Sequence, residues 1–213
     1  MTFATTPTIE LDTWTPATWE EFVAIANSPE YAKSRAYFDQ GQMRIEMAPI
    51  GANHAHQNAI VSKVIGLFAA LRHIQIIEFI NCSFRKTGER ECQPDLAFYI
   101  GTEFQLPPKN NSPINVEVLG APTLAVEIGA SSLSDDLGAK RLLYERLGVA
   151  EYWVVDVAQQ RIIAFSVAEG RSGQIQTSEV LPGLEMALVN EALAKTQSDD
   201  DGAITRWLMQ TLT

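Results

Sequence analysis

The chain has 213 residues, of which 46% are hydrophobic and 20% charged, with a formal net charge of −10. This composition excludes a disordered chain, the length suffices for a core without disulfide or metal staples, and no apolar run approaches the ~18 residues of a membrane helix. On its face the −10 argues against a nucleic-acid partner, because phosphate contacts need Lys and Arg. The start, MTFATTPTIELDTWTP, has no basic stretch followed by an apolar one, so no secretory leader is expected and the expected compartment is the cytoplasm. The charge is uneven: residues 1–30 carry five acids and no Lys or Arg, and residues 174–213 carry six acids against Lys195 and Arg206. The two ends therefore hold −9 and the middle 143 residues −1. One domain over 1–213 is expected, with a core at about 35–167 and an acidic C-terminal segment at 188–213.

In chain order, Thr15-Pro16 reads as a helix start, with Trp19, Phe22, Val23 and Ala26 on one face and Ser28-Pro29 as its end. Arg35–Phe38 and Met43–Met47 flank a Gly-containing turn and predict a hairpin, broken by Pro49 and Gly51. Residues 53–72 predict a helix, because Ile60, Val61, Val64, Ile65, Phe68 and Leu71 recur at helical spacing. Ile74–Phe84 predicts a strand, 86–91 an exposed turn, and 94–100 a strand with Leu96, Phe98 and Ile100 on one face and Asp95, Ala97 and Tyr99 on the other. A loop over 102–121 precedes a strand at Leu124–Ile128, with Val126 and Glu127 on opposite faces. A helix over 134–147 stops at Gly148. Strands follow at Tyr152–Val157, Arg161–Val167 and Gln174–Val180, then a terminal helix at 203–212. Hairpin-linked strands followed by a helical crossover indicate a mixed sheet flanked by helices, in the α/β or α+β class, with an N-terminal helix and hairpin.

Several chemistries lose support: the chain contains no GxGxxG after a strand, no GxxxxGK[ST], no HExxH and no GxSxG. Cys82 and Cys92 form no zinc-type spacing and are expected to be reduced. The Asp199–Asp201 run reads as a solvated turn. What stands out is acid in apolar strands. Asp95 opens PDLAFYI and Glu127 lies inside TLAVEIG. A buried carboxylate is costly unless paired, protonated or metal-bound. Two on neighbouring strands can hold one divalent cation, and hard oxygen ligands favour Mg²⁺ or Mn²⁺. The plainer alternative is that each acid pairs with a local Arg or caps nearby backbone. Asp136, Lys140 and Tyr144 follow at i, i+4, i+8 along one helical stripe. Lys140 is either an ordinary surface partner of Asp136, worth roughly 0.3–0.5 kcal/mol, or the positive charge beside the strand acids, able to orient water or stabilise a phosphate.

A Pro-Asp opening a strand, a Glu in the next strand and a nearby Lys together resemble the PD-(D/E)xK nuclease superfamily. More specifically, EIGASSLSDDLGAKRLLYERLGVAEYWVVD, from Glu127 to Asp156, resembles the large restriction-endonuclease family long catalogued as a domain of unknown function. The ordered set is a strand Glu, then Asp136…Lys140…Tyr144, then Gly148-Val149-Ala150-Glu151-Tyr152-Trp153-Val154-Val155-Asp156. Upstream, Gly41…Glu46-Met47-Ala48-Pro49…His54 resembles the family's hairpin and helix start, and the likeness covers roughly 15–187. The resemblance implies a restriction-endonuclease-like fold and Mg²⁺-dependent hydrolysis of DNA, with Asp95 and Glu127 as metal ligands and Lys140 as catalytic lysine. Glu46, His54 and Asp136 are accessory candidates. His54-x-His56 as a metal pair on a strand is disfavoured by the helical periodicity after it. This chain departs from the pattern twice: the superfamily's usual lysine position, two after the acid, is Gly129, and the family's Ser-Pro-Ser turn is Ala130-Ser131-Ser132.

With most of the −10 outside the motif span, the charge no longer excludes DNA; it predicts weak, salt-sensitive binding. The rivals are a catalytically inactive binding or assembly module on the same scaffold and a hydrolase of another phosphate substrate. A homodimer is expected, with the terminal helix around Trp207 and Leu208 as a candidate contact.

Overall fold

The computed structural model describes residues 9–47 and 51–213. The break expected at Pro49 lies outside these residues. Thr15–Pro16 is not a helix start but a short edge strand, β1, paired antiparallel to β3 (Gln42–Glu46). A proline φ suits either role, and an edge strand does not need the missing N–H. The helix α1 (Trp19–Ala26) starts instead at a capping box: Thr18 accepts from the Glu21 N–H, and the Glu21 carboxylate accepts from the Thr18 N–H. After a 3₁₀ turn at Pro29–Tyr31, β2 (Arg35–Asp39) forms the expected hairpin with β3. Helix α2 (Ala52–Leu71) buries Ile60, Val61, Val64, Ile65 and Phe68, while Leu71 at its end is exposed.

The strand expected over 74–84 is two strands in different sheets. Chain direction changes at Asn81, whose φ is 53°, between β4 (Ile76–Ile80) and β5 (Phe84–Lys86). The 86–91 turn is shorter than expected, because β6 (Arg90–Cys92) pairs with β5 and buries Glu91 against Arg85. β7 (Leu96–Ile100) follows, and the 102–121 loop contains β8 (Ile114–Asn115) and a short α3 (Val116–Leu119). After β9 (Leu124–Gly129), the predicted 134–147 helix is split at Gly138 into α4 (Leu133–Asp136) and α5 (Ala139–Leu147). A Cβ at Gly138 would lie 2.9 Å from the Ser134 carbonyl oxygen, so only glycine fits the break. Strands β10 (Glu151–Asp156), β11 (Arg161–Ala168) and β12 (Arg171–Ile175) are followed by α6 (Met186–Lys195) and α7 (Asp201–Thr211). β12 ends before the predicted 174–180 strand is complete, and α6 was not expected at all.

The result is α+β with two mixed six-stranded sheets, ordered β1-β3-β2-β6-β5-β8 and β12-β11-β10-β9-β7-β4. In the second sheet β9 and β10 run parallel and every other pair is antiparallel. One face, through Leu96, Phe98, Val126 and Trp153, packs on α2, α6 and α7. The other, through Ala97, Tyr99, Ala125 and Tyr152, packs on α5 and the first sheet. Helix α1 closes the far side of the β2–β3 hairpin. Cys82 and Cys92 are free. The aspartate run is a helix start: Asp200 caps α7 through the Ala203 N–H at 2.9 Å, and Asp201 takes His56 and Lys63 from α2.

Leu208, expected as part of a contact with a second copy, is not free to form one. Leu208 is fully buried in the α2–α6–α7 core, and Trp207 packs on that core beneath the Lys195 ammonium. Leu208→Ala should therefore cost about 2–4 kcal/mol of folding stability. Urea unfolding checks this; a loss below about 0.5 kcal/mol, the usual range for surface positions, would contradict the packing.

Candidate functional site

The β2–β3 hairpin alternates strictly. Ala36, Phe38, Met43 and Ile45 face α1 and its Phe22. The other face carries Arg35 opposite Glu46 and Tyr37 opposite Arg44. That polar row looks inward, toward the second sheet. There, β7 and β9 are paired with Leu96 opposite Val126, so one step further Asp95 stands opposite Glu127, on the face that meets the hairpin.

Asp95 is almost wholly buried and fully engaged. Its Oδ2 accepts the Ile128 N–H at 2.8 Å. Its Oδ1 accepts from the Arg35 guanidinium and lies 3.3 Å from His54 Nε2. Burial alone would raise its pKa, but His54 and Arg35 hold it at about 2. Glu127 differs. Its Oε1 accepts from the Tyr144 hydroxyl at 2.7 Å and lies 3.4 Å from that of Tyr37. Its charged neighbours Lys140 and Arg35 each stand 3.9 Å away. Burial therefore dominates and pushes its pKa well above the usual carboxylate range.

Lys140 is 1% exposed, so it is no surface partner. Its ammonium sits 2.9 Å from Glu46 Oε1 and 3.0 Å from Asp136 Oδ1, with the Tyr37 ring centroid 4.3 Å away. Asp136 and Lys140 keep their i, i+4 contact although the helix breaks between them. Asp136 Oδ2 accepts from Ser132 at 2.6 Å, which gives the Ala130-Ser131-Ser132 turn a definite job. Arg44 bridges Glu46 at 2.7 Å and Asp135 at 3.3 Å, and Trp14 Nε1 donates to Asp135 at 2.7 Å. Lys140 and Arg44 together outweigh burial at Glu46 and lower its pKa.

Gly129 explains where the lysine is. A Cβ there would lie 2.9 Å from Asp136 Oδ2 and 3.1 Å from the Leu133 Cα. Helix α4 closes the position two residues after Glu127 to any side chain, and the ammonium arrives from α5 instead.

A cavity of about 430 Å³ opens over this assembly, with Arg35, Arg44, Glu46, His54, Asp95 and Ser132 in its wall. Glu127, Lys140 and Asp136 are not part of the wall and connect to it through Arg35 and Glu46. The structure thus gathers Asp95, Glu127, Lys140, Glu46, His54 and Asp136 into one network. His56 points elsewhere, to Asp201. Sequence reasoning missed Arg35, Tyr37 and Arg44; their signal was a polar alternation in the hairpin, which reads equally well as a solvent-facing side. Five acids, including Asp135, meet three permanent cations, Arg35, Arg44 and Lys140, so the acids outnumber the cations by two, and burial raises the pKa of two of the acids, Glu127 and Asp136. Among the described residues no three His, Cys, Asp or Glu form a ready metal cage. The donor chemistry of the Asp95–Glu127 pair, two hard oxygen donors in a site where acids outnumber permanent cations, nevertheless fits a divalent cation.

Lys140→Met leaves Glu46, Asp136 and Glu127 facing one another without their shared cation, and should cost about 3–5 kcal/mol; an exposed pair would cost at most about 1 kcal/mol. Gly129→Ala should cost about 1–3 kcal/mol through the clash with α4. Chemical unfolding of both variants checks the two numbers, and a silent Gly129→Ala would disprove the steric account of the missing lysine.

The Uma2 family model, described as "Putative restriction endonuclease", matches residues 19–203. A solved structure from Anabaena variabilis, described as "a putative nuclease belonging to DUF820", superposes with a TM-score of 0.58 at 17% identity, covering 84% of this chain and 99% of that one. At that identity the likeness is one of fold. No curated protein matches the chain. The family match runs from the first residue of α1 into α7, and the chain therefore belongs to the Uma2 family of restriction-endonuclease-like proteins.

Proposed function

We propose that this chain is a metal-dependent endonuclease that hydrolyses DNA phosphodiester bonds. The observation that carries the reading is the opposition of Asp95, in the wall of a charged cavity, and Glu127, sealed behind it, in a network with two more acids than permanent cations. Asp95 and Glu127 would hold Mg²⁺ or Mn²⁺, which supplies Lewis acidity and a water of lowered pKa. The chain's own groups do the rest. Tyr144 fixes the Glu127 carboxylate by its hydroxyl, with that of Tyr37, held by the Gln93 carbonyl, close by, and the Ile128 N–H fixes the Asp95 carboxylate. Lys140 is a positioning residue: it touches Glu46 and Asp136 and stands near Glu127, and its charge helps hold Glu46 low and offsets part of the burial penalty at Asp136 and Glu127. Asp136 anchors Lys140, and Glu46 carries the influence of Lys140 to the cavity wall. His54, beside Asp95 and facing the cavity, is in position to accept or give a proton at a phosphate-bound oxygen.

The substrate reading rests on family membership and on Lys33, Arg35 and Arg44 in the wall, a small basic set that suits one phosphate rather than a coated duplex. No helix among the described residues is long and apolar enough to cross a membrane. Cytoplasmic action and a homodimer that cuts both strands belong to the same proposal. The second reading, a non-catalytic binding or assembly module, is favoured by one observation: Arg35 already lies on Asp95.

Asp95→Asn and Glu127→Gln should each lower Mg²⁺- or Mn²⁺-dependent cleavage of supercoiled plasmid by about 100-fold or more, an effect of the size seen when groups of an electrostatic catalytic site are removed. Both should also reduce the heat of Mn²⁺ binding in titration calorimetry. Cleavage that survives in both variants, or wild-type protein that neither binds Mn²⁺ nor cuts, would reject the nuclease reading in favour of the binding module. Lys140→Gln should weaken Mn²⁺ binding as well as turnover, which a purely structural lysine would not do once the variant is shown to be folded.

A further inference from the structure

Arg35 does more in this site than line the cavity beside Lys33 and Arg44, and its position is specific. It opens β2, and its side chain is 16% exposed at the cavity wall. One Nη reaches Asp95 Oδ1 and the other stands 3.9 Å from Glu127 Oε2, so a single guanidinium spans the carboxylate pair. The Asn81 side-chain oxygen accepts from the same Nη at 2.8 Å and holds the fork in place. Asn81 itself sits at the left-handed turn where the chain passes between the two sheets. No other permanent cation among the described residues touches Asp95; Lys140 and Arg44 are engaged by Glu46, Asp136 and Asp135 instead.

We infer that Arg35 is a tethered cation that occupies the Asp95–Glu127 pair in the metal-free protein and competes with the divalent ion for it. The inference rests on the metal-site reading above. A guanidinium on a carboxylate pair gives the two acids a mobile counter-charge and keeps the fold from bearing an uncompensated buried charge. The same contact means that the binding-competent arrangement, with Arg35 withdrawn, is a minor population, and apparent metal affinity falls in proportion to that fraction. Partial exposure at the cavity wall gives the arginine somewhere to go. Lys140, sealed and shared among carboxylates, has no such freedom.

Mn²⁺ titration calorimetry on the full chain tests this, with wild type, Arg35→Gln, Asn81→Gly and Asp95→Asn compared under one buffer. Asn81→Gly removes the oxygen that holds the guanidinium while suiting the positive φ, so it loosens Arg35 without touching either acid. Arg35→Gln should bind Mn²⁺ more tightly than wild type, by on the order of tenfold if the competent fraction is about a tenth. Asn81→Gly should shift affinity the same way by less, and Mn²⁺ should raise the melting temperature of Arg35→Gln more than that of wild type. If wild type binds Mn²⁺ through Asp95 while folded Arg35→Gln and Asn81→Gly bind no tighter, the competition is wrong and the metal site stands. If Arg35→Gln fails to fold, Asn81→Gly decides alone. If no variant binds Mn²⁺, the inference and the metal-site reading both fall.

Discussion

The structure of this site depends on one sealed ammonium. Lys140 reaches from α5 to Glu46 on β3, Asp136 at the end of α4 and Glu127 on β9, and so fastens the consecutive β9, α4 and α5 to a hairpin strand far upstream in the chain. A buried lysine is expensive unless its partners are well placed. Here the second sheet supplies one partner, the hairpin another and the preceding helical turn the third. The break at Gly138 does not weaken the arrangement; it sets α4 against β9 and leaves α5 free to bring the lysine in. Because α4 closes the space above Gly129, the positive charge could not come from the strand itself.

Around that charge the carboxylates are driven apart in character. Asp95 has an arginine, a histidine and a backbone N–H within contact distance, and is held ionised at about 2. Glu127 has tyrosine hydroxyls as its close partners and its cations at 3.9 Å, and burial raises it. Glu46, with two cations in direct contact, goes down despite being buried. The contrast follows from the number of partners in contact: Asp95 and Glu46 each have two basic side chains against them and go down, whereas Asp136, with the Lys140 ammonium alone at 3.0 Å, is still raised by burial. A pair of opposed acids with unlike proton affinity, in a network with more acids than permanent cations, is the kind of arrangement that a divalent ion resolves by displacing protons and counter-cations.

The acids of this network were legible in the sequence because carboxylates inside apolar strands break the pattern around them; Asp95 and Glu127 announce themselves against Leu, Ala, Val and Ile. Lys140 was legible through its spacing from Asp136 and Tyr144 and through the resemblance that the whole ordered set carries. Arg35, Tyr37 and Arg44 were not, because a polar row alternating with an apolar one is what any half-exposed hairpin shows. Only the packing of a second sheet on that row turns it inward, and that contact is long-range. The fold shows the same divide. The α2 stripe and the β7 faces follow from local periodicity, and they are as expected. The split of 74–84 between two sheets rests on Asn81 adopting a left-handed turn, and the fate of Pro16 rests on pairing with β3; neither is written in the neighbouring residues. Helix α6 lacks a starting signal, since Glu185 makes no side-chain cap.

Glu151 shows why burial of a carboxylate is not itself the mark of a site. It too lies in an apolar strand, fully buried, and it has no basic partner. It accepts from Trp153 Nε1 at 2.8 Å, from the Ser178 hydroxyl at 2.9 Å and from the backbone N–H groups of Glu179 and Val180. Every one of those donors is neutral, and two belong to the backbone, so the carboxylate is locked to the turn before α6. Asp95 is held instead by an arginine and a histidine that are partly exposed on a cavity wall, side chains rather than backbone groups. Fixed neutral donors make a buried acid a structural pin. Removable cationic ones make it a place where another cation can bind, and the distinction is drawn by the partners rather than by the strand that carries the acid.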